Sequence, residues 1–176
     1  KIYDHYDPSQ LITTDHVFFF FYLGGKLLDI GTKNEIYAGL VDKWQVSKDQ
    51  KVFQLHLNEN ARFSNGIKVT VKDVELPLKR HLIYPGTHIE FRDKLVGGRI
   101  QTFGDQVQGL KIINDQEIEI TLNYPDQNFL YWLAFPELII VPSEEAMKPI
   151  GKMNFKITSG PYFLESNEPD HLTFHQ

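Results

Sequence analysis

The 176-residue sequence contains no cysteine, which excludes a disulfide scaffold and leaves the redox compartment open. Positive charge is not in excess, since 18 Lys and Arg face 23 Asp and Glu for a net charge of −5. A nucleic-acid surface needs clustered Lys and Arg, so no nucleic-acid contact is expected of this segment. Long hydrophobic runs are missing too: the most apolar stretch, VFFFFYL at 17–23, has seven residues, against about 20 needed to cross a bilayer core. The opening KIYDHY lacks the basic start and long apolar stretch of a secretion signal. Either such a signal has been removed or the chain begins inside a longer protein. Ser64, Ser143 and Ser159 lie in no Gly-x-Ser-x-Gly setting, and no glycine-rich phosphate loop occurs. Glu117 and Glu119 fall on one strand face about 7 Å apart, compatible with an acid–base pair, but a solvated strand face explains them far better. His171 and His175 would stand about 13 Å apart in a strand, too far to share a metal. The sequence gives no ground for an enzyme, a cofactor or a metal site.

What is present is enough apolar content, 41% hydrophobic, for one sizeable core and a single domain or lobe. Phe53, Leu55 and Leu57 alternate with polar residues, and SKDQK at 47–51 separates them from Trp44 and Val46, which predicts a hairpin with Trp44 buried. Asn65-Gly66 reads as a turn. Thr70 followed by Asp73 places a capping side chain and an anion at a helix start. Val71, Val74, Leu78 and Leu82 then mark one apolar face of a helix over 71–81, where Pro77 predicts a kink or an early end.

Elsewhere the pattern predicts a helix over 15–24, capped by Asp15 and stopped at Gly24-Gly25. Short hairpins are expected at 28–37 and 110–122, and a helix over 126–135 packed by Phe129, Leu130, Leu133 and Ala134. A buried strand at 137–142, a helical turn opening at Ser143, and strands at 160–165 and 172–174 complete the chain. Residues 84–108 read as irregular and long, which favours a functional loop or an insertion. Gly160-Pro161-Tyr162 reads as a tight turn with Gly160 at positive φ, beside Asp7-Pro8. Strands and helices interleave, so the class is α/β or α+β.

GLVDKWQVSKDQKVFQLHL at 39–57, followed by ARFSNGIKVTVKDV at 61–74, resembles the signature of family 5 extracellular solute-binding proteins. That signature runs G-L-A-x-S-W-x-V-S-x-D-G, then F-x-L-R, then F-x-x-G-x-x-V-T-A-x-D-V. Asp7-Pro8, INDQEIEITL at 113–122 with YPD at 124–126, and TSGPY at 158–162 are similar to further family segments in the same order. Several ordered matches are far more specific than one short motif. Departures occur at Ala38 for the usual Pro, Asn58 for Arg, Val71 for Ala, and at Pro77.

The resemblance implies a mixed β-sheet with flanking helices, α/β in class, forming one lobe of a periplasmic-binding-protein type II fold. Residues 1–176 would be a single partial domain, most of the first lobe, without the second. It implies the substrate-binding component of an ABC-type importer, capturing oligopeptides or a similar small solute between two lobes. Such a receptor is periplasmic, or extracellular and membrane-anchored, and meets a membrane-embedded ABC permease through the full-length protein. Two alternatives stay open: the solute sensor of a cytoplasmic transcription regulator with an upstream helix-turn-helix, and a non-transport interaction module. By position, Ile12, Thr13, Thr14 and Asp15 match a cleft-lining family loop that meets extended peptides. His88 and Phe91 match a loop that presents an aromatic to ligand, with a place in the core as the competing role of Phe91. Phe135 precedes a buried strand, at a crevice position.

Overall fold

The computed structural model describes residues 6–10, 13–86, 89–167 and 171–176. Its centre is a four-stranded antiparallel sheet built from β4 (Val41–Val46), β5 (Val52–Leu57), β6 (Leu110–Asn114) and β7 (Glu117–Thr121), in the order β4-β5-β7-β6. The register aligns Trp44, Leu55, Ile118 and Ile112 in one row and Val46, Phe53, Ile120 and Leu110 in another. Since side chains alternate along a strand, these rows share one face, and Gln45, Gln54, Glu119 and Lys111 form a row on the other. Both hairpins stand where the alternation predicts them. Trp44 is only partly buried, on β4 at the edge of the sheet.

The apolar face packs against α2 (Val71–Ile83). At its start, Asp73 Oδ2 accepts hydrogen bonds from the Thr70 amide (3.0 Å) and hydroxyl (2.8 Å). Asp73 Oδ1 accepts two more, from the amide (3.0 Å) and hydroxyl (2.7 Å) of Ser143, which opens α5 (Ser143–Ala146). One carboxylate thus serves two helix starts. Of the kink or early end that Pro77 predicts, the early end does not occur: α2 runs six residues beyond it, to Ile83. Contacts on both sides hold it through the missing hydrogen bond. Val71, Val74, Leu78 and Leu82 lie in the sheet-side core, while Leu76 enters a second one.

That second core gathers Tyr6, Phe19, Phe20, Leu23, Ile139, Val141, Phe155 and Leu164. It joins α1 (Thr14–Leu23) to the antiparallel pair β9 (Phe163–Asn167) and β10 (Leu172–His175). Thr13, not Asp15, occupies the N-cap of α1; Asp15 sits in the first turn, where its charge still suits the unpaired amides. Gly24 does end the helix, donating to Phe20 O at 2.9 Å. Its φ of −102° is open to any residue; glycine is required because a Cβ would collide with the Ile139 side chain. Gly160 is similar: its φ is not positive, and a Cβ there would crowd the Leu23 carbonyl, with the carbonyl carbon at 2.6 Å. The turn therefore lies against the end of α1, where Gly160 N donates to Leu23 O.

β2 (Leu28–Ile30) and β3 (Ile36–Ala38) form the expected small hairpin, and β1 (Gly25–Lys26) pairs with β8 (Ile139–Ile140). The strand expected over 137–142 is thus confined to two residues, preceded by a 3-10 turn at Pro136–Leu138. The helix expected over 126–135 shrinks to α4 (Phe129–Trp132). Asp126 is held in a turn, its amide donating to Gln50 O and its carboxylate taking Lys94 and the Asn128 amide. Beyond it, Tyr131, Ala134 and Phe135 bond three residues back, in the tighter 3-10 manner. Residues 84–108 include α3 (Glu90–Lys94) and then run along the sheet edge, with Val96 N bonded to Thr121 O. Every strand pairing among the described residues is antiparallel, so the α/β character comes from interleaved helices. No helix among them is long and apolar enough to cross a membrane.

Candidate functional site

The N-terminal segment and the far end of α2 meet through an ion pair that connects residues 73 apart in sequence. Asp7 and Arg80 are 0% and 1% exposed. The guanidinium grips the carboxylate bidentately, with Nε to Oδ1 at 3.0 Å and Nη2 to Oδ2. Ser9 adds its amide (3.0 Å) and hydroxyl (2.7 Å) to Oδ1. The remaining Arg80 nitrogen, Nη1, donates to Ala146 O (2.8 Å) at the end of α5 and to Lys148 O (2.5 Å) just past it. Burial pushes the Asp7 carboxyl upward, but the Arg80 hydrogen bonds and charge, with Ser9, outweigh it and hold it below the ordinary carboxylate value.

Around this clamp the segment after Asp7 lies against the segment that follows α2. Gly86, at φ +48°, lies so close to the Ser9 carbonyl that a Cβ could not fit, and Gln10 Nε2 reaches Tyr84 O at 3.5 Å. Residues 9–10 and 84–86 are thus in direct contact. Thr13, Thr14 and Asp15 are exposed at the start of α1. Ile12 and His88 lie outside the described residues. His16, near the start of α1, is held below the ordinary imidazole value by burial, with Asp15 opposing.

Phe91 and Phe135 come together, in different settings. Phe91 is 2% exposed and stacks over Phe129 with centroids 6.4 Å apart. Phe135 is 39% exposed and meets Trp132 edge-on at 5.8 Å. With His81 and Leu138 they line a cavity of about 10 Å³, room for about one water. As it stands, this is a packing gap beneath Phe135 and too small for a ligand side chain.

A wider depression, about 400 Å³, opens on the polar side of the sheet among Lys43, Gln54, His56 and Glu117. Glu117 there accepts from Asn114 Nδ2 at 2.7 Å, and Glu119 on the same strand face accepts from Gln54 Nε2 at 2.9 Å. His56 Nδ1 lies 2.8 Å from Asp42 Oδ1. These bonds suit a solvated strand face more than a paired acid and base. Among the described residues no group of three His, Asp or Glu is arranged to hold a metal.

Residues 35–175 match the family model described as bacterial extracellular solute-binding proteins, family 5 middle. The chain is 31% identical over 139 residues to the periplasmic oligopeptide-binding protein OppA of Salmonella typhimurium, covering 73% of this chain and 25% of that protein. It is 31% identical over 115 residues to the dipeptide-binding protein DppE of Bacillus subtilis, covering 62% and 21%. Among solved structures, a periplasmic oligopeptide-binding protein of Borrelia burgdorferi superposes with TM-score 0.82 at 20% identity, over 98% of this chain and 37% of that one. The peptide-bound OppA of Listeria monocytogenes gives 0.78 at 19%, over 93% and 34%. These superpositions show the fold, that of periplasmic binding proteins of type II. The chain spans about a quarter of the length of the first of these relatives.

Proposed function

The chain belongs to the bacterial extracellular solute-binding proteins of family 5, and from that membership we propose that it serves in the peptide-capturing component of an ABC-type importer. The family match over residues 35–175, with 31% identity to an oligopeptide-binding protein, is the observation that carries this reading. In this proposal residues 1–176 form most of one lobe, and the segments joined by the Asp7–Arg80 clamp present Ile12, Thr13, Thr14 and Asp15 to an extended peptide. In the same proposal His88 is a ligand contact by its position in the sequence alone, and Phe135 is a partly exposed contact beside the buried Phe91. The assembled protein works in the periplasm or anchored outside the membrane. It delivers its ligand to a membrane-embedded permease and performs no chemistry on it.

Calorimetric titration with a pool of short peptides tests the proposal. The full gene product is expected to bind, and residues 1–176 alone to bind at least about a hundredfold more weakly, a loss of roughly 2.7 kcal/mol for one wall of an enclosing cleft. Equal affinity would place the whole site within this chain. Absence of peptide binding by the full product would refute the receptor reading.

A further inference from the structure

On the peptide-receptor reading above, we propose that the outward face of α1 is a wall that selects peptides by their apolar side chains. Helix α1 buries Phe19, Phe20 and Leu23 but leaves Phe18, Phe21 and Tyr22 exposed at 60%, 53% and 48%. Positions three and four apart share a helix face, so these three form one stripe with the exposed Thr14 at its start. The stripe is fixed in place. Tyr22 packs edge-on against Phe21 and against Tyr162, each at 5.9 Å, and Lys26 Nζ lies 4.9 Å from the Phe21 ring centre.

Three features favour a short peptide as the occupant. At roughly half exposure the three aromatics present about 300 Å², well short of the roughly 800 Å² per partner of a stable dimer. A second copy is therefore poorly served by this stripe. A membrane surface is disfavoured as well, because α1 carries no basic residue in its last turn, has Asp15 in its first, and belongs to a chain of net charge −5. The stripe is also continuous with Thr13–Asp15, the segment offered to ligand. Phe18 and Tyr22 rise about 6 Å apart along the helix, close to the roughly 6.7 Å between same-side residues of an extended chain. Two alternate side chains of one peptide can thus meet Phe18 and Tyr22.

The experiment compares a tripeptide bearing phenylalanine at its first and third positions with its serine counterpart, by calorimetry on the full gene product. The unmodified protein should prefer the phenylalanine peptide. Phe18→Ser with Tyr22→Ser should cost about tenfold or more in affinity for that peptide and less than about twofold for the serine one. The single variant Phe18→Ser, whose side chain is 60% exposed, should retain the parent melting temperature and show the same selective loss in part. Equal losses for both peptides, or an unchanged preference, would overturn the wall while leaving the receptor reading in place. Failure of the unmodified protein to bind any peptide would overturn both.

Discussion

Removing the charge of Asp7 should be among the most damaging conservative changes in the chain. Asp7→Asn preserves shape but leaves the Arg80 guanidinium, 1% exposed, without a counterion. Breaking one partner of a buried ion pair costs about 3–5 kcal/mol, a large share of the roughly 5–15 kcal/mol that stabilises a typical domain. Arg80→Met should cost at least as much, because it also releases the carbonyls of Ala146 and Lys148. The double variant removes both charges and should be less destabilised than the sum of the two singles, by about 1–3 kcal/mol. Urea unfolding followed by tryptophan fluorescence measures all four proteins. The pH dependence adds a second test. Since the Asp7 carboxyl is held below its unfolded value, its contribution is fully present above that unfolded value, about 3.9. It is lost as pH falls through the lower folded value. The parent should therefore lose stability in acid along a limb that Asp7→Asn lacks. Additive single and double variants, together with identical acid limbs, would refute the clamp.

Gly160→Ala should destabilise by about 1–3 kcal/mol because its Cβ would crowd the Leu23 carbonyl; an unchanged urea midpoint would remove that close approach. Asp73→Ala should cost about 1–3 kcal/mol, since four hydrogen bonds at two helix starts depend on it, and a loss within a few tenths would show that water replaces them. The peptide titrations of the full product and of its α1 variants complete the set.

Sequence periodicity was informative wherever one face of an element is wet and the other dry. Phe53, Leu55 and Leu57 alternate with Gln54 and His56, and that alternation alone located the hairpin and its buried side. The spacing of Val71, Val74, Leu78 and Leu82 likewise identified the sheet-facing side of α2. Pro77 does not end α2 because its local cost is a few kcal/mol, less than the burial of Leu78 and Leu82 beyond it together with the Arg80 bonds. The shortening of α4 was hidden for the opposite reason: Asp126 is held in its turn by Gln50 and Lys94, residues distant in sequence. Propensity says nothing about such partners.

The candidate site was less legible, for two physical reasons. Its scaffold rests on a pair 73 residues apart, and Arg80, one of several charged residues along α2, carries no local sign that it will be buried. Its wall lies on a helix so uniformly apolar that no period separates inside from outside. In VFFFFYL every position is a plausible core residue, and only the packing of Phe155, Leu164 and Ile139 decides that Phe19, Phe20 and Leu23 are taken. Phe91 shows the reverse: set between Glu90 and Arg92 in a polar segment, it has the local context of an exposed side chain, yet Phe129 covers it. An aromatic residue's neighbours in sequence therefore do not decide whether it binds or packs. What decides is whether another element competes for the same surface, and on the outer face of α1 the described residues leave Phe18, Phe21 and Tyr22 about half exposed, although Tyr162 and Phe174 reach the Tyr22 ring.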